Sequence, residues 1–145
     1  MRRLTALVCA LLLAVPALAA EAAKPERQET FSDGVTVYYN AITSSFLSPE
    51  MTTAAGLTRS KNLGVLNIAV FKDGKLAMAN VSGTVTNEDG RKDNLTIQQK
   101  TEQGAVTYLA QFTIDRPGTY TFDVNVAIGD KINTLNFNQA LFPGE

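Results

Sequence analysis

Hydrophobic and polar residues alternate with a period of two along most of the chain after residue 31. The clearest example is residues 120–128, in which Tyr120, Phe122, Val124, Val126 and Ile128 alternate with polar or small residues. This pattern is typical of a strand with one buried face. Turn-forming residues bound seven such segments, which are residues 35–42, 63–72, 75–87, 95–100, 108–114, 120–128 and 131–142. Short strands at this spacing predict an antiparallel sandwich or barrel.

The alternation stops between the first two predicted strands, where the sequence favours a helix. Ser48 can cap an amide at the start of this helix, Pro49 fits the first helical position, and Glu50 favours the positive helix end. Gly56 can adopt the left-handed conformation that ends a helix. Residues 48–56 therefore predict one short helix of about two turns.

Two glycines indicate local backbone geometry within the predicted strands. Asp73 and Gly74 form a residue pair favoured in two-residue hairpin turns. Gly83, in the middle of a strand, suggests a bulge or a close approach of another backbone. Both features agree with strands that pair with their neighbours in sequence.

The most specific indication of the fold is the sequence Pro117-Gly118-Thr119-Tyr120. In immunoglobulin-like sandwiches, a Tyr near the start of the sixth strand bonds the backbone just upstream, two residues before a disulfide cysteine. Tyr120 fits that position, and Phe122 takes the place of the cysteine. We therefore favour an antiparallel immunoglobulin-like sandwich of about seven strands, with a small barrel as the alternative.

The first residues have the features of a secretory signal peptide. Met1-Arg2-Arg3 precedes the apolar run of residues 4–15, and the small-residue sequence Ala17-Leu18-Ala19 follows. The run is shorter than the roughly 20 residues that span a bilayer as a helix. We expect residues 1–19 to be a signal peptide cleaved after Ala19, residues 20–30 to be a flexible leader, and residues 31–145 to form one domain in the periplasm.

Composition and charge exclude several classes of function. The 13 basic and 14 acidic residues give a net charge of −1, so no basic excess attracts nucleic acid. The chain has no His, and its single Cys, Cys9, lies in the signal peptide. Catalytic sets that need imidazole or a thiol are therefore excluded from the mature chain. We expect no enzyme activity, no cofactor, and no stable membrane insertion after signal cleavage.

One loop carries oxygen atoms that could bind calcium. These oxygen-bearing residues are Asn87, Glu88, Asp89 and Asp93. Their spacing lacks the alternating ligands of an EF-hand loop, and Arg91 and Lys92 interrupt them. We therefore expect a solvated hairpin and no metal site.

Five short motifs follow one another along the chain. They are Phe31-x-Asp33-Gly34, Val37-Tyr38-Tyr39-Asn40-Ala41, Phe46-Leu47-x-Pro49-Glu50, Arg59-Ser60-Lys61-Asn62 and Leu66-Asn67. On these motifs the chain, from Phe31 to about Phe142, resembles a family of small exported proteobacterial proteins catalogued as a domain of unknown function. The resemblance implies a periplasmic location in a Gram-negative cell, and it implies no activity, substrate or catalytic residue.

The candidate binding surface lies around the predicted helix. Its residues are Tyr38, Tyr39, Asn40, Phe46, Leu47, Glu50, Arg59, Lys61 and Asn62. Tyr and Arg are the residue types that anchor interfaces. We expect Arg59 and Lys61 to be exposed or partly covered, because an unpaired buried charge is costly. The alternative is that Phe46 and Leu47 close one end of the sandwich and the charges lie in water.

Three classes of function stay open. A non-enzymatic protein-interaction or envelope accessory module is favoured, because a sandwich presents loops and edges while the catalytic residues are few. A periplasmic binding protein for a small ligand would need a sizeable pocket. An enzyme is the least favoured. The partner is an unknown envelope protein or a small ligand.

Overall fold

A computed structural model describes residues 27–102 and 104–144 of the chain. The predicted signal peptide lies outside the described residues. The strands are β1 (Arg27–Thr30), β2 (Val35–Thr43), β3 (Leu63–Lys72), β4 (Lys75–Leu76), β5 (Asn80–Thr86), β6 (Lys92–Asn94), β7 (Gln98–Glu102), β8 (Ala105–Thr113), β9 (Gly118–Ile128) and β10 (Lys131–Leu141). A short 3-10 helix (Ser44–Phe46) and the helix α1 (Pro49–Ala55) separate β2 from β3.

The strands form two antiparallel sheets. The first sheet has the order β1-β2-β3-β8-β7, with β4 paired to the end of β3, and the second has the order β10-β9-β5-β6. If β2 is taken as strand A, the two orders match the A-B-E-D and G-F-C sheets of the immunoglobulin fold. The expected antiparallel immunoglobulin-like sandwich is therefore confirmed.

The core lies between the two sheets and is rich in aromatic rings. Phe122 is fully buried at the position where a disulfide cysteine would stand, and its ring stacks on Phe137 with centroids 4.8 Å apart. Phe112, from the opposite sheet, meets Phe122 edge to face at 5.1 Å. Offset and edge-to-face contacts of this kind stabilise aromatic pairs beyond the burial of their area. The rings thus join the sheets where a disulfide does so in other members of the fold class.

The residues predicted to begin and end the helix and to form the hairpin turn do so in the structure. The Ser48 hydroxyl accepts from the Met51 amide at 3.2 Å, and Gly56 ends α1 in the left-handed conformation. Asp73 and Gly74 have φ values of 50° and 77°, as a tight hairpin turn requires. A Cβ at Gly83 would lie 3.1 Å from Val124 Cα and would overlap the Asp123 carbonyl oxygen, which confirms a close backbone approach.

One predicted strand is divided between the sheets, and one short strand starts in a predicted loop. The segment 75–87 forms β4 in the first sheet and β5 in the second. Strand β6, in the second sheet, precedes the predicted strand of residues 95–100, which corresponds to β7 in the first sheet. Alternation reports which face of the chain is buried and carries no information about which sheet it joins. The described chain therefore has ten strands instead of seven.

The expected flexible leader differs from the structure in its last four residues. Arg27–Thr30 form β1, which pairs with residues 36–39 of β2, with Arg27 opposite Tyr39. All four side chains of β1 are exposed, so no apolar pattern marked this strand in the sequence. Backbone pairing with β2 and polar side-chain contacts, such as those of Arg27, position it. Residues 20–26 of the expected leader lie outside the described part of the chain.

In the described part of the chain, neither helix has the length and apolar character needed to cross a bilayer.

Candidate functional site

A concave surface lies where the edges of the two sheets meet, beside β2 and β10. It is an open groove of about 480 Å³, which we call the edge groove. Its lining residues are Asn40, Ala41, Ile42, Thr43, Phe46, Gln139, Ala140, Leu141 and Phe142. This volume falls in the range of sites that hold small ligands or short peptide segments.

The edge groove exists because β1 covers only part of β2. Among the described residues, β1 pairs with β2 as far as Tyr39, and residues 40–43 have a paired strand only on the β3 side. On the other sheet, β10 pairs with β9 and with no other described strand. Two strand edges therefore lie side by side over the same gap.

Three polar links hold β10 against the first sheet, on either side of the gap. Asn133 Nδ2 donates to Asp33 Oδ2 at 2.9 Å. Arg27 Nη2 donates to the Asn138 carbonyl at 2.9 Å and to Gln139 Oε1 at 3.1 Å. Thr43 Oγ1 donates to the Phe142 carbonyl at 2.6 Å. The edge groove opens between the second and third of these links.

The first link also changes the charge chemistry of its carboxyl group. The hydrogen bond from the Asn133 amide lowers the pKa of Asp33 below its usual value, against a smaller opposing effect of desolvation. The Val35 amide donates to the other carboxylate oxygen at 3.3 Å and acts in the same direction. Asp33 is therefore ionised over a wider pH range than an ordinary aspartate.

Arg27 is held over aromatic rings at the mouth of the edge groove. Its guanidinium carbon lies 5.1 Å from the centre of the Tyr39 ring and 5.0 Å from that of Phe137. Cations at this distance are attracted to the ring faces. The side chain is exposed, so its positive charge faces solvent beside the groove.

Two exposed phenylalanines flank the other end of the edge groove. Phe46 is 74% exposed and Phe142 is 61% exposed. Arg59 donates from Nη2 to the Ser45 carbonyl at 2.9 Å and from Nε to the Leu47 carbonyl at 3.0 Å. It therefore holds the backbone on both sides of Phe46.

The structure brings only some of the predicted surface residues together. Asn40 and Phe46 line the edge groove. Tyr38 and Tyr39 point to opposite faces of β2, where Tyr38 meets Phe71 at 5.4 Å and Tyr39 meets Phe137 at 4.4 Å. Successive residues of a strand alternate between faces, so the two tyrosines cannot share one surface.

The other predicted surface residues lie around the helix. Glu50 is exposed in the first turn of α1, and Leu47 is half-buried. Arg59 and Lys61 are both exposed, as expected. The Lys61 and Asn62 carbonyls accept from the Gly144 and Ile114 amides, each at 2.8 Å. Backbone groups of this segment thus anchor it to the sandwich while its charged side chains face water.

Sequence reasoning missed the half of the edge groove that β10 supplies, together with Arg27. The groove joins residues about 100 positions apart, and alternation is a local signal that does not report such neighbours. Arg27 lies in a polar segment with no apolar pattern. The apolar Phe142 at the end of the last predicted strand was the one available indication.

The loop with calcium-type oxygen atoms forms a network of hydrogen bonds and ion pairs. Arg91 lies 3.2 Å from both Asp93 and Asp115, and Arg116 pairs with Asp89. Glu88 accepts from the Thr119 amide at 2.8 Å. Within residues 27–102 and 104–144, no three metal-ligating side chains come together. These carboxylates therefore neutralise neighbouring arginines and tie two loops together.

Comparison with known proteins gives a family and a fold. The family model described as "Domain of unknown function (DUF4426)" matches residues 29–144. A crystal structure of a DUF4426 family protein from Pseudomonas aeruginosa PAO1 is 37% identical with a TM-score of 0.74, and the match covers 83% of this chain and 97% of that one. Among curated proteins, nothing matches the chain.

A more distant likeness supports the fold alone. A copper-bound variant of FetP from uropathogenic Escherichia coli strain F11 is 14% identical with a TM-score of 0.60, over 83% of this chain and 96% of that one. The copper belongs to that FetP structure, and this chain contains no His. The match over residues 29–144 and the 37% identical crystal structure show that the chain belongs to the DUF4426 family.

Proposed function

We propose that this protein is an exported, non-enzymatic interaction module of the periplasm, and that the edge groove is its contact surface for an extended segment of another exported protein. The observation that carries the proposal is the pair of open strand edges flanked by exposed Phe46 and Phe142. Large apolar side chains exposed beside a groove mark interaction sites.

The chemistry of the chain supports a binding role. The mature chain has neither imidazole nor thiol, the groups that most often act as general base or nucleophile. Within the edge groove, the lining side chains are apolar or uncharged. Such a surface favours recognition of apolar side chains and backbone groups over reaction at a bond.

Arg59 adds a reason to assign binding to this end of the sandwich. An Arg that bonds the carbonyls of Ser45 and Leu47 holds the backbone on both sides of Phe46 before any partner arrives. Preorganisation of an anchor residue lowers the entropy lost on binding. The exposed ring therefore stands on a backbone that is already positioned.

The proposal is tested by photocross-linking in intact cells. A photoreactive phenylalanine analogue replaces Phe46 or Phe142, and the matched control replaces Ile132, which is 67% exposed and lies at the end of β10 away from the groove. We expect mass spectrometry to place the cross-links from Phe46 and Phe142 on one stretch of one exported protein, with none from Ile132. Cross-links scattered over unrelated proteins, or equal from all three positions, would overturn the proposal.

Export is tested separately by N-terminal sequencing of the protein recovered from the periplasm. We expect the mature chain to begin at Ala20. Recovery of a chain that begins at Met1 would contradict the signal peptide.

The volume of the edge groove favours one other candidate, a small periplasmic ligand. That function requires the same surface and predicts no cross-link to a protein. Protection of the Phe46 ring by a compound from a periplasmic extract, with no protein cross-link, would support it over the first proposal.

A further inference from the structure

The geometry points to the chemistry of the segment that is bound. We propose that the edge groove takes up an extended peptide that pairs with the free edge of β10 at Ala140 and places a carboxylate against Arg27. This inference rests on the proposed function, because it uses the same groove.

The backbone groups of alternate residues along β10 point away from β9, toward the edge groove. In a strand, the N–H and C=O of one residue point to one side, and those of the next residue point to the other. The Asn138 and Phe142 carbonyls both point away from β9, since they accept from Arg27 and Thr43 of the first sheet. Ala140 lies midway between them, so its N–H and C=O point the same way.

The Ala140 N–H bonds no described residue, and the Ala140 carbonyl accepts only a long bond of 3.3 Å from the exposed side chain of its neighbour Gln139, which a peptide N–H can replace. Strand β10 pairs with β9 along its other edge, with Ala140 opposite Thr119. The links from Arg27 and Thr43 reach the residues on either side of Ala140 and leave it open. An edge with free N–H and C=O groups is a template for an added strand.

The open edge of β10 has the length and the lining for a short extended peptide. From Asn138 to Phe142 the strand advances roughly 14 Å, which accommodates about four residues of an extended peptide. Ala41 and Ala140 are small, so a peptide backbone can approach both edges. Phe46 and Phe142 offer their rings to an apolar side chain of that peptide.

The positive charge beside the edge groove comes from Arg27. Arg27 uses Nη2 for its hydrogen bonds, and Nε and Nη1 bond no described residue. The ion pairs of the described chain involve Arg91 and Arg116, so Arg27 has no carboxylate partner there. Its guanidinium carbon lies 5.1 Å from the centre of the Tyr39 ring and 5.0 Å from that of Phe137. A guanidinium held in this way can bond a carboxylate with two N–H groups.

These four observations define the partner. It is a short extended segment with at least one apolar side chain and, near one end of the bound stretch, an Asp, a Glu or a terminal carboxylate. Backbone pairing supplies affinity, and the carboxylate sets the direction in which the segment lies.

The probe is a library of random decapeptides screened against the full mature protein. We expect the selected peptides to share apolar residues and one acidic position. Changing that acid to its amide should weaken binding about tenfold or more, the range of a charge-assisted hydrogen bond. In the variant Arg27→Gln, the preference for the acid over the amide should disappear.

The edge pairing is tested on both partners. Ala140→Pro removes an N–H that faces away from β9 and should weaken peptide binding about tenfold. The matched control is Thr134→Pro, which removes an N–H of the same orientation farther along β10 and should bind as the wild type does. Independently, N-methylation of the peptide at successive residues should weaken binding at alternate positions, because only every second N–H can pair with β10.

The outcomes separate this inference from the function on which it rests. If N-methylation shows no alternation, or if Ala140→Pro and Thr134→Pro bind alike, the peptide does not add to β10 and the inference is wrong. If no peptide is selected while Phe46 and Phe142 still cross-link one exported protein, the proposed function stands and the inference fails. The N-methylated peptides leave the protein unchanged, so this result does not depend on either proline variant folding.

Discussion

Tyr120 shows how one residue can specify the fold. Its hydroxyl donates to the Arg116 carbonyl at 2.9 Å, four residues upstream, and its ring is 2% exposed. This is the tyrosine corner expected from Pro117-Gly118-Thr119-Tyr120. The bond fixes the direction in which the chain enters β9, the strand that supplies buried Phe122.

Removing this hydroxyl should destabilise the protein while the ring still packs. We expect Tyr120→Phe to lower the free energy of unfolding by about 0.5–1.5 kcal/mol, the net value of one hydrogen bond. Urea denaturation followed by circular dichroism measures this change. A variant with an unchanged midpoint would show that the corner contributes nothing to stability.

The same variant should respond differently to alkaline pH. Burial raises the pKa of the Tyr120 phenol above its usual value near 10. The folded state therefore holds this proton more tightly than the unfolded state does. That stability is complete below about pH 10 and is lost as the pH rises through the folded-state pKa. Above this pH, the urea midpoint should fall more steeply for the wild type than for Tyr120→Phe, and parallel curves would contradict the shift.

At the scale of elements, β5 and β9 approach so closely at Gly83 that no side chain fits at that position. A Cβ at Gly83 would lie 3.2 Å from Val124 Cγ2, and the backbone of Asp123 would have to move. We expect Gly83→Ala to lower the free energy of unfolding by about 1–3 kcal/mol, as overpacking does. The control Ser82→Ala changes an exposed residue of the same strand and should stay within about 0.5 kcal/mol. Equal thermal midpoints for the two variants would show that the sheet adapts freely.

The elements divide into those that the sequence could predict and those that it could not. The positions of strands, the capped helix and the tyrosine corner depend on residues close together in the chain, and the sequence predicted them. The exchange of the chain between sheets at β4 to β5 does not alter the alternation and was not predicted, and β6 was not predicted because its residues are polar and exposed. Strand β1 stayed hidden because its stability comes from backbone pairing with β2 and from polar side-chain contacts.

The candidate site was predicted only in part, for the same reason. Phe46 and Asn40 are close in sequence and lie in the edge groove. Gln139 to Phe142 reach it from the opposite sheet, and only the packing of the sheets brings them there. Tyr38 was wrongly grouped with Tyr39, because the alternation that identified β2 also separates adjacent residues onto opposite faces.

For the whole molecule, stability should depend on noncovalent packing and hydrogen bonds, without disulfides or bound metal. The chain has a single Cys, so it cannot form within itself the disulfides that small exported domains often use. We expect neither a reducing agent nor a chelator to shift its thermal unfolding midpoint. A fall of several degrees in chelator would reveal a bound cation and would contradict the assignment of the loop of residues 87–93 to ion pairs.

The links between β10 and the first sheet also determine when the sandwich can close. They join residues 99 to 112 positions apart, from Arg27, Asp33 and Thr43 to the final described strand. Contacts of such large sequence separation are slow to form, because the loop between them must be ordered first. Until β10 is added, β9 presents an unpaired edge, which is a hazard for aggregation. The edge of β9 is therefore open to other chains during the interval before β10 pairs with it.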